Sequence, residues 1–425
     1  MLGQAIRPAR HIRMKPHASS VARTLSFEEA LSEVESKLTS AGISPSIEFA
    51  SLDQAWGRVL AEDINADRDY PPFHRSTRDG FAVRSEDVRG APTSLTLDGE
   101  VRAGEHFDAR IEAGHCVAIM TGAPLPAGTD AVAMIEHAHV KNGKVEIERP
   151  VEPFENVVRK GSEAQGGRRI LPRGRRLRAG EIGLLASVGK GSVAVYSRPR
   201  VAIIPTGDEV VPVDCKPEWF QVRNSNSAML AAVVASAGGV PHPMGIGPDR
   251  KELLRGLIER GLEADLLLLS GGVSMGKYDL VEEALEELGA QFFFRSVAIR
   301  PGKPLVFGRV RGKFFFGLPG NPVSGFVTCN LFARPAISVL AGSTFERPIF
   351  LRARLAKPVR QRTGLTTFTP ARVETREADP EVSLVGWQGS GDLVGVAEAN
   401  CFLVLHPEQP SPAVGDWVDV MIMES

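Results

Sequence analysis

The spacing of apolar and polar positions changes twice along the chain. Between about residues 95 and 151 apolar positions alternate with polar ones, and Asn142-Gly143 between two such runs predicts a β-hairpin. Beyond Val201, short apolar runs alternate with segments of helical period, which predicts a parallel sheet covered by helices. From about Pro348 the pattern is again typical of β-strands.

The α/β region is defined by the period of its apolar positions. Predicted strands cover 201–204, 241–246, 266–269, 305–307 and 314–316. Predicted helices cover 225–237, 251–262, 280–288 and 323–340. Ligands of such sheets bind beyond the carboxyl ends of the strands, so we expect the site in the loops that follow them.

Shorter helical patterns lie N-terminal to the α/β region. Ser26 stands three residues before Glu29, the spacing of a capping box, and apolar residues follow at helical intervals. The stretch 52–64 is weakly helical and ends before Tyr70-Pro71-Pro72. A short helix is predicted over 181–187, after a connector rich in glycine and arginine.

The predicted fold class is multidomain, α/β plus β, because 425 residues exceed one typical core. A doubly wound, mostly parallel α/β domain is expected between N-terminal helical and β domains and a small C-terminal β-barrel domain. The expected segments are a basic disordered tail over 1–24, a helical and linker domain over 25–65 and 152–190, a β insertion over 66–151, the α/β domain over 191–345 and the C-terminal β domain over 346–425.

Composition narrows the class of protein. The formal net charge is −1, which gives no bulk attraction to nucleic acid. No apolar run approaches the roughly 20 residues of a membrane helix. The four cysteines are scattered without metal-ligand spacing, so we expect reduced thiols in a cytoplasmic protein. The basic residues before Glu28 allow a transit peptide, but their poor amphipathic face favours a disordered tail.

Glycine-rich loops follow apolar runs in the α/β region. Glycine lets backbone N–H groups approach an anion, and a helix that starts after the loop adds positive potential. Carboxylates in such loops hold a divalent metal against a phosphate. The loops therefore predict a phosphorylated ligand at one edge of the sheet. They are Thr206-Gly207-Asp208-Glu209, Ser270-Gly271-Gly272-Val273-Ser274, Pro301-Gly302-Lys303-Pro304 and Leu318-Pro319-Gly320-Asn321-Pro322.

The acidic candidates also have purely structural interpretations. Asp208 and Glu209 follow a buried strand, where paired acids hold metals or transfer protons, but exposed loop acids are common. Asp279 precedes a predicted helix and suits an N-cap, while Asp249 suits a turn or a cap. Asp79 taken alone is typical of an Asp-Gly turn.

Two further loop positions suit anion binding. Lys303 stands in a stiff, proline-flanked loop that suits a fixed charge aimed at a phosphate. Asn321-Pro322 suits a helix start, and it equally suits an anion site made of free N–H groups. The residues by themselves therefore predict a site for a phosphorylated ligand and a metal at a sheet edge, and many different enzymes and binding proteins have such a site.

Six motifs occur in a fixed order between Ser76 and Pro322, within a pattern that runs from about Leu25 to the C-terminus. They are Ser76-Thr77-Arg78-Asp79-Gly80-Phe81-Ala82, Met120-Thr121-Gly122-Ala123-Pro124 and the four glycine-rich loops named above. In this order they resemble the molybdopterin molybdenumtransferases, the bacterial MoeA family, whose eukaryotic relative is the gephyrin E domain. Each motif alone is weak, and the order makes the resemblance specific.

The resemblance implies an elongated homodimer of four-domain subunits and a metal-insertion reaction. Adenylylated molybdopterin would bind with Mg²⁺, molybdate would enter, and cleavage of the phosphoanhydride would release AMP and leave molybdenum cofactor. The implied partners are a molybdopterin adenylyltransferase and molybdoenzyme apoproteins, with no nucleic acid and no membrane.

The resemblance also implies roles for particular positions. It implies catalytic roles for Asp79, Glu209, Asp249 and Asp279, and the last three would also hold the metal. Asp79 would act from the partner subunit, in a site shared between subunits. Substrate contacts are implied for Thr121, Thr206, Gly207, Asp208, Ser270, Gly271, Gly272, Ser274, Arg300, Pro301, Gly302, Lys303, Pro319, Gly320, Asn321 and Pro322.

Three positions depart from the family pattern. Asn224 and Ser162 stand where the family usually has acids, and Ser296 stands where it usually has a basic residue. These departures leave open a divergent paralogue, either one that prefers tungstate or a catalytically impaired binding, scaffold or carrier protein. The additional terminal domains and the Asp79 motif argue against a molybdopterin adenylyltransferase.

Overall fold

The computed structural model describes residues 24–272, 280–360, 364–376, 379–408 and 411–423. Contacts divide the chain into two compact units. The first unit comprises Met1–Ser46 and Ser197–Ser425, and the second comprises Ile47–Tyr196.

Up to Tyr196 the chain forms short strands and few helices. The helices are α1 (Phe27–Ser40), α2 (Leu52–Ala55) and α3 (Ala179–Ser187), with 3₁₀ turns at Ser85–Val88 and Ile135–His137. The strands are β1 (Ile47–Ser51), β2 (Ile64–Asn65), β3 (Arg75–Ser76), β4 (Gly80–Val83), β5 (Thr93–Val101), β6 (His115–Ile119), β7 (Ala131–Met134), β8 (Ala138–Lys141), β9 (Lys144–Ile147), β10 (Val157–Val158), β11 (Arg169–Leu171) and β12 (Ser192–Tyr196).

From Arg200 onward strands and helices alternate before a final β region. The helices are α4 (Ser225–Ser236), α5 (Lys251–Gly261), α6 (Leu280–Glu287), α7 (Pro322–Thr328), α8 (Arg334–Leu340) and α9 (Leu393–Glu398), and a π-helical turn at Cys329–Ala333 joins α7 to α8. The strands are β13 (Arg200–Pro205), β14 (Val210–Val211), β15 (Val222–Arg223), β16 (Val240–Pro243), β17 (Leu266–Ser270), β18 (Gln291–Phe294), β19 (Ile299–Arg300), β20 (Val306–Val310), β21 (Lys313–Leu318), β22 (Phe350–Leu355), β23 (Thr366–Arg376), β24 (Asp379–Leu384), β25 (Cys401–Leu405) and β26 (Trp417–Ile422).

The central sheet of the first unit has the strand order β16-β13-β17-β21-β20-β18. β16, β13, β17 and β21 are parallel, whereas β20 and β18 add an antiparallel edge. The chain proceeds from β13 outward to β16 and then returns to β17 on the other side. This reversal is a topological switch point, and it opens a crevice at the carboxyl ends of β13 and β17. The prediction of a doubly wound, mostly parallel domain is confirmed.

Neighbouring residues of the central strands face opposite layers, as the pleat requires. Ile203 packs in a core with α1, α4, α7 and α8, while Ile204 packs with α5 and α6 on the other side. Both faces of the sheet are therefore buried, which explains why β17 is apolar from Leu266 to Leu269.

Helix α1 begins at the predicted capping box. The N–H of Glu29 donates to Ser26 Oγ at 3.2 Å, and the N–H of Ser26 donates to Glu29 Oε2 at 2.8 Å. Phe27, Leu31 and Val34 lie in the same core as the central sheet. The helix therefore belongs to the first unit, whereas residues 47–65 belong to the second. The segment 25–65, which the sequence predicted as part of one domain, is thus divided between the two units.

The Ser26→Ala variant is expected to lose about 0.5–2 kcal/mol of stability, because the N–H of Glu29 then lacks its acceptor. Ser36→Ala is the matched control, since Ser36 is exposed on the same helix and makes no side-chain hydrogen bond to the described residues. We expect a lower melting temperature for Ser26→Ala and an unchanged or slightly higher one for Ser36→Ala. Equal melting temperatures would contradict the capping role.

The helical segment Pro322–Leu340 is apolar enough to resemble a membrane span. Among the helices of the described residues it passes a length and composition test, with a mean hydropathy of 1.3 over its best window. However, 78% of that window is buried inside the protein, where it packs in the core of the α/β domain.

The C-terminal region forms a small barrel, as predicted. Strands pair in the order β23-β24-β22-β26-β25, and an additional β23–β25 pairing closes the cylinder. β19 extends this sheet by pairing with β23. The short helix α9 was not predicted, because six residues are too few to show a helical period.

The second unit is built around a six-stranded sheet in the order β7-β4-β6-β5-β9-β8. The predicted Asn142-Gly143 hairpin joins β8 to β9, and both residues have positive φ. The weak helical pattern over 52–64 was wrong for most of its length, because only Leu52–Ala55 is helical. β12 pairs with β1, so residues 192–196 belong to this unit rather than to the α/β domain that we expected to begin at 191.

Candidate active site

A cavity of about 950 Å³ lies in the first unit at the carboxyl ends of β13, β17 and β21. Its volume falls within the range of about 300–1,000 Å³ that small-molecule sites occupy. The predicted residues that line it are Thr206, Gly207, Glu209, Asp249, Ser270, Gly271, Gly272, Pro319, Gly320, Asn321 and Pro322. The cavity therefore brings together three of the glycine-rich loops at the switch point.

The floor of the cavity requires glycine at particular places. Gly271 has a φ of +96°, and a Cβ there would lie 2.7 Å from the carbonyl oxygen of Thr206. Gly272 has a φ of +65°, and its Cβ would lie 2.6 Å from Val281 Cγ2. A Cβ on Gly320 would lie 3.3 Å from the Cα of Gly271, so the two glycine turns are in direct contact.

Three backbone N–H groups in these turns lack a partner. Those of Gly272, Gly320 and Asn321 donate no hydrogen bond to any residue the structure describes. Side-chain oxygens nearby are also unpaired within the described part of the chain, namely the buried Thr206 Oγ1 and Asn226 Oδ1. Buried side-chain oxygens without partners are rare in folded proteins, and here two of them lie beside exposed N–H donors, an arrangement that suits a polar ligand.

The acidic residues form a cluster at one side of the cavity. Glu209 and Asp249 line it, and the exposed Asp208 lies next to both. The N–H of Asp208 donates to Asp249 Oδ2 at 3.3 Å, and the N–H of Asp249 donates to Asp208 Oδ1 at 3.1 Å. This reciprocal pair connects the loop after β13 to the loop after β16 and leaves carboxylate oxygens for a ligand.

The predicted metal set is only partly described. Within the described residues no group of three or more His, Cys, Asp or Glu forms a metal site. Asp279 and Ser274 lie outside the described residues, so their predicted roles stay predictions. Glu209 and Asp249 alone would provide two carboxylates, which suits a Mg²⁺ that takes its other ligands from phosphate and water.

A second cavity of about 490 Å³ contains the remaining loop. Arg300, Pro301, Gly302 and Lys303 line it together with Ser324 and, from the C-terminal domain, Trp387 and Ser390. Neither Arg300 nor Lys303 forms an ion pair with a described residue, and Trp387 Nε1 is buried without a partner among them. Two cations and a donor that have no partner in the described part of the chain make this cavity suited to a small anion.

The two cavities are adjacent. Pro304 lines both of them. Asn321, which lines the first cavity, donates from its Nδ2 to Oγ of Ser390, which lines the second, at 3.0 Å. The N–H of Val323 donates to the carbonyl oxygen of Ser390 at 3.0 Å. The C-terminal domain is therefore hydrogen-bonded to the start of α7 where the cavities meet.

Asp79 and Thr121 lie in the second unit and contact each other. Asp79 Oδ1 accepts hydrogen bonds from the N–H of Thr121 at 2.7 Å and from its hydroxyl at 2.8 Å. These two donors lower the pKa of the Asp79 carboxyl. The carboxylate therefore stays ionised at neutral pH, and its second oxygen accepts no hydrogen bond from the described residues.

Comparisons with known proteins identify the family of the chain. The MoeA N-terminal region (domain I and II) matches residues 25–189, a probable molybdopterin binding domain matches 202–339, and the MoeA C-terminal region (domain IV) matches 352–423. A molybdopterin molybdenumtransferase of Staphylococcus epidermidis is 33% identical over 380 residues, which cover 88% of this chain and 91% of that protein. The chain belongs to the MoeA family.

Other MoeA relatives agree over nearly the whole length. A molybdopterin molybdenumtransferase of a Nostoc species is 36% identical and covers 84% of each chain. The crystal structure of a molybdopterin biosynthesis MoeA protein from Pyrococcus horikosii is 32% identical, with a TM-score of 0.71 over 95% of this chain and 100% of that one. The chain is therefore an enzyme of this transferase family, with a role in molybdenum cofactor biosynthesis.

The departures from the family pattern differ in their structural consequences. Asn224 is the N-cap of α4, where its Oδ1 accepts from the N–H of Ser227 at 3.0 Å, as an aspartate would. The substitution therefore keeps the cap and removes a negative charge from the cavity wall. Ser162 is exposed in a turn, and Ser296 Oγ lies 2.6 Å from Thr24 Oγ1 without lining either cavity.

Sequence reasoning missed several residues of the two cavities. Trp387 and Ser390 lie in the C-terminal domain, far along the chain from the loops that they face. Gly391 and Leu393 enter the first cavity from the same segment. Asn226 stands in the first turn of α4 and gives no local signal beyond a polar residue near a helix start.

Proposed function

We propose that this chain inserts molybdate into adenylylated molybdopterin and releases AMP, giving molybdenum cofactor. The observation that carries the proposal is the set of N–H donors of Gly272, Gly320 and Asn321, which have no partner among the described residues and lie in one cavity at the switch point. Such donors bind phosphate oxygens, and the substrate has a phosphoanhydride to place on them. The acids Glu209 and Asp249 stand at the side of the same cavity.

The first cavity would hold the substrate and its metal. The glycine turns would bind the pyrophosphate oxygens, and Thr206 with Ser270 would form the polar surface beneath them. Glu209 and Asp249 fit a Mg²⁺ because they are exposed carboxylates beside an anion site. When bound, this ion would neutralise phosphate charge.

The second cavity would hold molybdate as a substrate. Arg300 and Lys303 supply the positive charge, and the Ser324 and Ser390 hydroxyls and Trp387 Nε1 supply neutral donors. A cavity of about 490 Å³ that adjoins the first would place the oxyanion beside the pterin. Tungstate has the same charge and shape, so this cavity by itself is compatible with either oxyanion.

The proposed reaction balances without a change of oxidation state. The two dithiolene thiols replace one oxygen on molybdenum, and that oxygen leaves as water with the two thiol protons. Cleavage of the phosphoanhydride consumes one water, whose oxygen forms the new P–O bond as the bond to the bridging oxygen breaks. The chain contributes positioning and electrostatic stabilisation of the phosphates, which supply most of the catalysis in phosphoryl transfer.

We also propose a homodimer in which Asp79 acts from the partner subunit. The pair of hydrogen bonds from Thr121 keeps the carboxylate ionised and in one orientation, which suits a group that binds a cation or takes up a proton. A molybdopterin adenylyltransferase would supply the substrate, and molybdoenzyme apoproteins would receive the product in the cytoplasm. Light scattering that shows a monomer would remove the role in trans.

The decisive experiment is AMP release from adenylylated molybdopterin in the presence of Mg²⁺, with molybdate, with tungstate and with neither. Release stimulated by one oxyanion would establish the transferase and identify its metal. Tight binding of the substrate without release under any condition would overturn the proposal. The chain would then be a molybdopterin-binding scaffold or carrier, which the loss of an acid at Asn224 makes the second candidate.

The Glu209→Gln variant is expected to raise the Mg²⁺ concentration at half-maximal AMP release by about tenfold or more, because an amide oxygen is a weaker ligand than a carboxylate. Glu252→Gln is the control, since Glu252 is exposed on α5 and does not line the cavity. The measurement is a Mg²⁺ titration of the initial rate. An unchanged midpoint in Glu209→Gln would exclude this residue as a metal ligand.

A further inference from the structure

Asn226 connects the two glycine turns that form the floor of the first cavity. Its Nδ2 donates to Ser270 Oγ at 2.8 Å and to the carbonyl oxygen of Gly320 at 2.7 Å. Ser270 ends β17, and Gly320 follows β21. These strands are parallel neighbours, and a single amide group bridges the loops where their pairing ends.

The orientation of the Asn226 amide is determined by its partners. A carbonyl oxygen is only an acceptor, so the atom that faces Gly320 has to be the nitrogen. The rotated amide would place Oδ1 against the Gly320 oxygen, two acceptors at hydrogen-bond distance. Oδ1 therefore points elsewhere, and it has no partner among the described residues.

The bond to Gly320 has a consequence for the next residue. The carbonyl of Gly320 and the N–H of Asn321 belong to one planar trans peptide, so they point in opposite directions. Holding the carbonyl towards Asn226 directs the Asn321 N–H away from it. That N–H is one of the donors without a partner in the described part of the chain.

We propose that Asn226 is a positioning residue that orients the Gly320–Asn321 peptide so that the Asn321 N–H binds a phosphate oxygen of the substrate. The proposal rests on the proposed function for the identity of the anion. Without the side-chain amide, no described residue donates to the Gly320 carbonyl, and glycine permits the peptide to rotate. The loop would then bind the anion with one donor fewer.

The test compares three variants. Asn226→Leu keeps nearly the same shape, adds no charge and removes the donor, and Asn226→Ala removes the donor with less risk of a steric clash. Ser227→Ala is the matched control in the same turn of α4, because it removes the acceptor for Asn224 Nδ2 at 2.9 Å and does not line the cavity. Each variant is compared by its Kd for inorganic pyrophosphate in calorimetry and by KM and kcat for AMP release.

For Asn226→Leu and Asn226→Ala we expect Kd and KM to rise about ten- to hundredfold, because the charged ligand loses one hydrogen bond. We expect kcat to stay within about twofold, because the loop binds ground state and transition state alike. Ser227→Ala should keep both constants. Unchanged pyrophosphate affinity in both Asn226 variants, or equal losses in Ser227→Ala, would overturn the proposal. The pyrophosphate measurement decides it even if the wild-type chain releases no AMP.

Discussion

The Asp79→Asn variant is expected to release AMP about 10²–10⁴-fold more slowly than the wild-type protein, the usual contribution of a positioned acid or base. Asparagine keeps the shape of the side chain and still offers an oxygen to the N–H and hydroxyl of Thr121. It removes the negative charge, and that charge is what a cation or a proton in the reaction would need. The measurement is the initial rate of AMP release at saturating substrate.

Asp87→Asn is a matched control within the same unit. Asp87 Oδ2 accepts a hydrogen bond from the N–H of Gly114 at 2.9 Å, so the substitution perturbs a similar contact away from the Asp79 motif. We expect this variant to keep its rate. Equal rates for Asp79→Asn and the wild-type protein would remove Asp79 from the mechanism.

The pH profile of the rate gives a second readout for Asp79. Donors from Thr121 lower the pKa of Asp79, so the ionised form persists to lower pH than in an unperturbed aspartate. The Thr121→Val variant keeps the backbone donor and loses the hydroxyl donor. Its Asp79 pKa should therefore rise, and the acid limb of the rate should move to higher pH.

The Gly271→Ala variant is expected to weaken substrate binding by about ten- to hundredfold. A methyl group at this position would lie 2.7 Å from the Thr206 carbonyl oxygen and 2.9 Å from Thr206 Oγ1. The strand end cannot move away, because the N–H of Thr206 donates to the Ser270 carbonyl at 2.8 Å. The turn itself therefore has to shift, and because it forms the binding surface, we expect the free energy of substrate binding to weaken by about 1–3 kcal/mol.

Gly245→Ala separates the clash from backbone strain. Gly245 has a φ of +88°, close to the +96° of Gly271, but no atom lies within 4 Å of its added Cβ. Both variants place an alanine at a similar positive φ and so have similar backbone strain, but only Gly271→Ala disturbs the cavity. We expect Gly245→Ala to lower the melting temperature and keep the substrate Kd. Similar Kd values in the two variants would show that the turn tolerates a side chain.

Local chemistry predicted most of the elements. The capping box at Ser26, the Asn142-Gly143 hairpin and the apolar run 266–269 of β17 depend on contacts within a few residues or on burial of both faces, so the sequence predicts them directly. The helical pattern over 52–64 was misleading because its period is short, and because Leu60 bridges to Val195 and Ile64 pairs with Leu171 in extended conformation instead.

The glycine-rich loops were recognisable for a physical reason. Positions such as Gly271 and Gly272 combine positive φ with neighbours closer than 3 Å to any Cβ, so only glycine fits them. Asp79 was different, because an Asp-Gly turn is common and its partner Thr121 lies 42 residues away. Its role was suggested by the order of motifs along the chain and not by the residues around it.

The sequence by itself determined the class of each domain, the position of the glycine-rich loops and the family, because these depend on periodicity, on glycine and on the order of motifs. Only the tertiary structure decided which loops share a cavity. It placed Ser390 and Trp387 beside Arg300 and Lys303, and it placed the Asn226 amide between two turns that lie 44 and 94 residues further along the chain. Such contacts arise from strand order and barrel closure, which bring distant segments together and leave no mark on local sequence.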